Sequence, residues 1–371
     1  MEILVVGGGC IGLGIAGELA EDHSVTLLEE ANCGQGATRA AAGMLAPVME
    51  AEYGETELLD LCLESHRRYP SFVESLEDDT GIDVGFRTEG TLGLAFDQPG
   101  VSDLERQVDY LNRMDLTVEE LSPEACRELE PRISSYVSKA IRVSSEYQVD
   151  NRRLAEALKE RAKLRNVDLH ERTPAETIRV ENGSVQSVST PKGDFSADYY
   201  LLCAGAKTGK IDGLPESDRM PIRPVKGQAL SVQLSDPPEV EHVLRSQDVY
   251  CVPKDDGRLV VGATMEEEGY DTTVTAGAVL NLLHDAYEMV PFIYENELLE
   301  TWAGLRPASR DSRPIIGPST STDNLGFASG HYRNGILLTP VTVQSTKNWL
   351  ENGDAPELLE PFLPSRFQNQ G

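Results

Sequence analysis

"EILVVGGGCIGLGIAGELAEDHSVTLLEE", Glu2 to Glu30, decides the fold. "ILVV" (3–6) is an apolar run too short for a helix and stopped by glycine, which predicts a buried parallel strand. Gly7-x-Gly9-x-x-Gly12 follows, and Ile15 and Leu19 continue at helical spacing. "SVTLLEE" reads as a second strand ending on Glu29 and Glu30. Strand, glycine turn, helix, strand and acid form the dinucleotide-binding βαβ unit. Its glycines let the backbone approach a pyrophosphate, whose charge sits on the helix N-terminus. Glu29, 17 residues after Gly12, is placed to accept from ribose hydroxyls. The competing reading is a glycine-rich turn used only for packing.

The next segment, "ANCGQGATRAAAGMLAP" (Ala31 to Pro47), is dense in small residues where a simple nicotinamide domain passes into another βα unit. A run of Ala and Gly suggests backbone lying flat against a large planar ring. That favours an embedded flavin.

At 371 residues the default organisation is two lobes around a cleft. Composition, with 40% apolar and 26% charged residues, is globular. No stretch reaches the ~18 apolar residues of a membrane span. The N-terminus lacks the basic segment of a secretory signal, so a cytoplasmic protein is expected. The six cysteines are scattered with no Cys-x-x-Cys pair, which predicts reduced thiols and no metal site. A net charge of −29 repels nucleic acid and anionic membranes. It fits a salty cytoplasm, where screening is strong, or a merely acidic protein; scarce lysine beside abundant glutamate favours the former.

Further along, residues 56–80 are helical in pattern with Leu58, Leu61, Cys62 and Tyr69 on one face, and 86–96 alternates as a strand. Residues 102–130 read as helical, with Pro123 in a first turn, and "QVDNRRLAEALKERAKLRN" (148–166) reads as a helix with Leu154, Leu158 and Leu164 inward. Asn182-Gly183 and Lys192-Gly193 signal hairpins. "YYLLC" (199–203), "KGQALSVQL", "DVYCVP" and "RLVVGATM" read as strands, the last three antiparallel. The chain closes with a strand, a glycine-bounded loop and a helix. Such a loop, feeding a helix N-terminus, offers backbone donors to the flavin edge that gains negative charge on reduction. Arg306 stands out in "TWAGLRPASRDSRPIIG" because it follows tryptophan and small apolar residues and precedes proline, whereas Arg310 and Arg313 read as surface or inter-domain pairing.

"GGGCIGLGIAGELA", "TRAAAGMLAP", "PVKGQALSV", "YCVP", "GRLVVGATME", "WAGLRP" and "GHYRNGILLTP" occur in an order that resembles the D-amino-acid oxidase group of FAD-dependent amine oxidases. Within that group the sequence is most similar to the glycine oxidases of thiamine biosynthesis, from the first strand to residue 349. The resemblance implies an α/β (α+β) fold: a discontinuous Rossmann-type FAD-binding domain (1–80, 140–215 and 306–371) interleaved with a substrate domain (81–139 and 216–305) on a large mixed, largely antiparallel sheet. It implies that Gly7, Gly9, Gly12 and Glu29 hold the ADP half, and that Arg39, Ala41, Ala42, Gly43 and Met44 lie along the flavin. Ala175, with Cys203, Ala204 and Gly205, would pack near the adenine side. The loop Gly330, His331, Tyr332, Arg333, Asn334, Gly335, Ile336 and Leu337 would pass the pyrimidine edge.

By the same resemblance Arg306 binds a substrate carboxylate through two parallel N–H···O bonds, a task that suits guanidinium geometry. Tyr250 reaches the same carboxylate, Met265 narrows the pocket around the α-carbon, and Arg333 adds positive charge. Lys207 stands where the family carries an aromatic residue, Asp248 where a histidine can occur, and "TPVTV" (339–343) replaces a more usual Pro-Ala-Thr-Gly. The expected reaction is oxidation of glycine or another small amine or D-amino acid to the imine, with O2 reduced to H2O2, for the thiazole of thiamine. It needs positioning and a flavin, with no metal or side-chain base. The alternatives are a D-amino-acid dehydrogenase passing electrons to a quinone or carrier, and a flavin-carrying module without turnover. A homotetramer is in keeping with the family.

Overall fold

The computed structural model describes residues 1–234, 240–353 and 355–367; the segments 235–239 and 368–371, inside the expected substrate and FAD domains, lie outside the described residues. The expected βαβ start is present as strand Glu2–Val6, helix Cys10–Leu19 and strand Ser24–Leu28. The first strand is flanked in parallel by Ser24–Leu28 and Tyr199–Leu202, with Val6 opposite both Leu28 and Leu202. That register brings Gly7, Glu29 and Cys203 out of the sheet side by side at the carboxyl ends of three neighbouring strands. Ligand crevices of open parallel sheets form at such an end. Leu325–Ser329 and Asp168–His170 extend the sheet in parallel, and Ile315–Pro318 adds an antiparallel edge, giving six strands.

A second sheet has eight strands in the order 297–309, 222–233, 258–262, 250–253, 243–245, 91–95, 139–143 and 119–121. All its pairs are antiparallel except 243–245 with 91–95. The expected large mixed sheet is therefore present. Lys139–Val143 pairs within it, across the boundary expected at 140. Separate apolar clusters fill the two layers: Ile3, Leu13, Leu158 and Leu338 belong to one, Leu92, Leu230, Cys251 and Val261 to the other.

Several local expectations change in the folded chain. Residues 102–130 form two helices, Gln98–Arg113 and Pro123–Leu129, with a short strand Glu119–Leu121 between them. The first ends where Asp115 turns to φ +55°, and Ser122 caps the second by accepting from Ala125 N. Strand 86–96 shortens to Thr91–Ala95. Leu154 and Leu158 are buried in helix Asn151–Leu164, but Leu164 is exposed, because the helical period gives the next inward positions to Arg161 and Ala162. Asn182 and Gly183 both take positive φ in the first hairpin; Thr190 pairs with Gly193, so Pro191 and Lys192 make the second turn. All six cysteines are free and buried. Among the described residues no helix is long and apolar enough to cross a membrane.

Candidate active site

Between the two sheets lies one cavity of about 710 Å³, within the range of small-molecule and cofactor sites. Its nucleotide end is built at the strand ends described above. Gly7 has φ +111°, and a Cβ there would lie 2.4 Å from Cys203 O. A Cβ on Gly12 would lie 1.9 Å from Gly7 O, so only glycine lets the first helix abut the turn. Gly9 is that helix's N-cap and brings no side chain of its own; Thr38 takes only the first amide, Cys10 N, which leaves the following donors and the positive dipole end at the cavity wall. Glu29 accepts from Gly8 N (2.7 Å) and Ala31 N (2.9 Å), so its carboxylate is held on the wall with lone pairs to spare. Lys207 pairs with Glu30 beside it; burial lowers the lysine's pKa, and Glu29 opposes that shift. Ala175, Ala204 and Gly205 close this end.

The middle of the cavity is floored by Ala40, Ala41, Ala42, Gly43 and Met44. Trp302 Nε1 donates to Ala40 O (3.1 Å), and Gly304 lies where a Cβ would come within 2.2 Å of Ala40 Cβ. The motif "WAGL" thus seats the alanine strip on the second sheet. His331, Tyr332, Gly335 and Ile336 form the opposite wall. His331 Nε2 lies 3.0 Å from Thr342 Oγ1, and burial pushes its pKa down to about 3, which keeps it neutral.

At the far end, strands 250–253, 258–262, 222–233 and 297–309 place Tyr250, Gly262, Gly227 and Arg306 together. Tyr250 is paired with Gly262, and a Cβ on Gly262 would meet the Tyr250 hydroxyl at 2.4 Å. Gly227 faces Gly304 across the strands, and a Cβ on Gly227 would meet Arg306 Nη1 at 2.3 Å. The two glycines make room for the phenol and the guanidinium to lie over the sheet. Arg306 Nη1 donates to Thr264 O (3.0 Å) and Lys226 O (3.3 Å). Nη2 and Nε meet no acceptor, and no carboxylate pairs with Arg306, among the described residues. The guanidinium is therefore held by one nitrogen and presents its side-on fork at the cavity wall. Burial raises Tyr250 to about 12, with Arg306 opposing, so its hydroxyl keeps its proton and can donate.

Some expected residues go elsewhere. Arg39 is absent from the cavity wall and pairs with Glu300 (3.4 Å). Arg333 reaches the wall, but Glu52 and Glu55 already engage its guanidinium, so its charge is met within the protein. Met265 lines the cavity while 68% exposed, with Tyr332 Oη 3.3 Å from its sulfur. Gly12, Gly330, Asn334 and Leu337 stand behind the wall rather than on it. Arg313 pairs with Glu57 (3.1 Å). Sequence reasoning missed the supports: Thr38, whose Oγ1 accepts from Cys10 N (3.0 Å), and Asn151, Trp302 and Lys254 behind the alanine strip. For Lys254 a signal existed, since a lysine directly after the strand "YCVP" is conspicuous in a chain with nine lysines.

These residues fit FAD. A glycine turn that no other residue could form, a helix N-terminus with a glycine N-cap and a fixed acid suit an adenosine diphosphate, while a strip of small residues suits a flat ring. A family model described as DAO, FAD dependent oxidoreductase, matches residues 2–346. Glycine oxidase of Geobacillus kaustophilus (strain HTA426) is 33% identical over 368 residues, covering 98% of this chain and 97% of that protein. The crystal structure of glycine oxidase from Geobacillus kaustophilus is similar with a TM-score of 0.91, covering 98% of each chain. The bifunctional protein ThiO/ThiG of Synechocystis sp. (strain ATCC 27184 / PCC 6803 / Kazusa) is 34% identical over 99% of this chain, which spans 54% of that protein's length. By the match along nearly its whole length, the chain belongs to the DAO family of FAD dependent oxidoreductases.

Proposed function

We propose that the chain oxidises glycine, or another small amine or D-amino acid, to its imine with O2 as the electron acceptor, and that the product serves thiazole formation in thiamine synthesis. The observation that carries this reading is the side-on fork of Arg306, unpartnered among the described residues and beside the protonated Tyr250 hydroxyl at the end of a dinucleotide-shaped cavity. Arg306 and Tyr250 grip the carboxylate, which fixes the α-carbon over the Ala41–Met44 strip. Bound there, FAD supplies the hydride acceptor and the route of two electrons to O2, giving H2O2. The substrate amine enters deprotonated, having lost its proton to solvent, so the transfer needs no side-chain base. The two layers correspond to a nucleotide domain and a substrate domain, with the division after Val143 rather than at 140. Met265, on the wall at the substrate end, narrows the pocket around the α-carbon. We place the enzyme in the cytoplasm as a homotetramer.

Anaerobic titration of the FAD-loaded protein with glycine, sarcosine, D-alanine and D-proline tests the reading. Bleaching of the flavin band by at least one of them, and one H2O2 per substrate on readmitting air, is the expected result. A protein that takes up no flavin, or a flavin that none of the four bleaches, refutes it; bleaching without peroxide transfers the assignment to a dehydrogenase.

A further inference from the structure

The alanine strip on the cavity floor is held from behind at nearly every carbonyl. Asn151 Nδ2 donates to Thr38 O (2.7 Å) and Arg39 O (3.1 Å), Trp302 Nε1 to Ala40 O, and Val149 N to Gly43 O (2.9 Å). Between them, Ala42 O accepts from Lys254 Nζ at 2.7 Å, and the same nitrogen donates to Val149 O at 2.7 Å. Lys254 is 5% exposed, an uncommon place for an ammonium-bearing side chain. With the carbonyls drawn backwards, the amides of Ala42 and Gly43 have no acceptor among the described residues, and both residues line the cavity.

Lys254 also belongs to the other layer. It follows strand Tyr250–Pro253 directly, and its amide donates to Arg258 O (2.8 Å) at the turn into strand Arg258–Gly262. One residue therefore ties the strand that carries Tyr250 to the strip expected beneath the flavin ring. Gly43, at φ +81°, leaves the strip no slack there, since a Cβ would sit 2.1 Å from Val149 O. Asp150, Arg258, Arg87 and Asp255 are the charged groups around the amine. Burial is the main influence, pushing Lys254 down to about 7, and Asp150 opposes it. A neutral amine still has two N–H bonds, so both carbonyls stay gripped in either protonation state.

We infer that Lys254 is a positioning residue: by holding the Ala42 and Val149 carbonyls together it sets the distance between the flavin-lining strip and the carboxylate grip at Tyr250 and Arg306. This rests on the proposed function, because it requires the strip to lie along FAD. Displacing a reacting centre by about 1 Å costs about 100-fold in rate. The carboxylate grip sits on sheet strands that do not need the lysine, so the effect belongs in kcat rather than in KM.

The test compares the FAD-loaded parent with Lys254→Met, which fills the space without donors, and Lys254→Gln, which restores N–H donors without charge. We expect K254M to lose about 10- to 100-fold in kcat with KM little changed, to bind FAD more weakly and to show a shifted flavin absorption band; K254Q recovers part of each. K254M with the parent's kcat, spectrum and FAD affinity overturns the clamp, and so does K254Q being as impaired as K254M. Should K254M not fold, K254Q decides alone: a spectrum and KM like the parent's support the donor role, and a flavin-free K254Q overturns it. A parent that takes up no flavin sinks the proposed function as well, whereas an active parent with an indifferent Lys254 sinks only this inference.

Discussion

Replacing Arg306 tests the site at its most exposed assumption. Nη1 uses both of its protons on Thr264 O and Lys226 O, so Nε and Nη2 are the donors left for a ligand. Arg306→Ala removes the grip entirely, and loss of one partner of a desolvated charge pair costs about 2–5 kcal/mol. At 25 °C that is about 30- to 5,000-fold in the KM for glycine. Arg306→Lys keeps the charge, but part of its ammonium is drawn to the same two carbonyls and it has no second parallel donor. Losing one charge-assisted bond, about 1.5–3 kcal/mol, predicts about 10- to 150-fold. FAD content stays at the parent's level in both, since Arg306 is remote from Gly7 and Glu29. The assay is steady-state peroxide release, paired with displacement of acetate, a carboxylate with no amine. Acetate affinity should fall by the same factors, because only the carboxylate is gripped. An R306A enzyme whose KM and acetate affinity both match the parent's refutes the reasoning, and so would R306K and R306A being impaired equally.

Tyr250→Phe removes one neutral donor to the carboxylate and should lower kcat/KM about 10- to 100-fold, with the flavin spectrum retained. Gly227→Ala would put a Cβ 2.3 Å from Arg306 Nη1, the end of a flexible side chain. The fold should therefore persist while the guanidinium is displaced, and KM should rise with little change in melting temperature. Glu146 accepts from Val48 N and Met49 N through Oε1, yet burial raises its pKa from 4.5 to about 7, those bonds opposing. Between those pH values the folded protein holds a proton that the unfolded chain has released, so this group's contribution to stability falls as pH rises through that window, by at most about 3 kcal/mol. Glu146→Gln should flatten the decline in denaturation midpoint between pH 5 and pH 7, in that window; an unchanged slope would exclude Glu146 as its source.

What was legible in the sequence was local. The glycine turn, its two strands and Glu29 lie within 29 consecutive residues, and each follows from periodicity or from a backbone position only glycine can occupy. Arg306 was legible because its neighbours are apolar, so its solvation needed explaining. Arg39 and Arg333 were not: their partners, Glu300 and the pair Glu52 and Glu55, lie more than 250 residues away along the chain. In a chain with 62 acidic residues a carboxylate is always at hand, and spacing cannot say which arginine remains free. The supports were hidden for the same reason. Nothing local to Ala42 announces that its carbonyl is met from residue 254.

The charge of the chain gives these placements a common logic. A net −29 opposes a cofactor bearing two phosphates and a substrate bearing a carboxylate, so attraction has to come from groups fixed at the cavity. Of nine lysines, Lys207 and Lys210 stand on its wall, while Lys226 and Lys254 are buried directly behind it. Lys226 lies 3.7 Å from Glu266 and 3.5 Å from Asp271, and its backbone carbonyl holds Arg306; Lys254 holds the alanine strip. Arginine serves most ion pairs elsewhere, but its planar fork is shaped for a carboxylate rather than for two backbone carbonyls such as those that Lys254 meets. A compact ammonium on a four-carbon stem turns its rotatable donors to both the Ala42 and Val149 carbonyls. An exposed lysine in an acidic protein can be exchanged for arginine at little cost. Lys254→Arg should therefore fail to restore flavin binding even though it preserves charge, whereas Lys163→Arg, exposed and paired with Glu160, should leave flavin binding, kcat and KM unchanged.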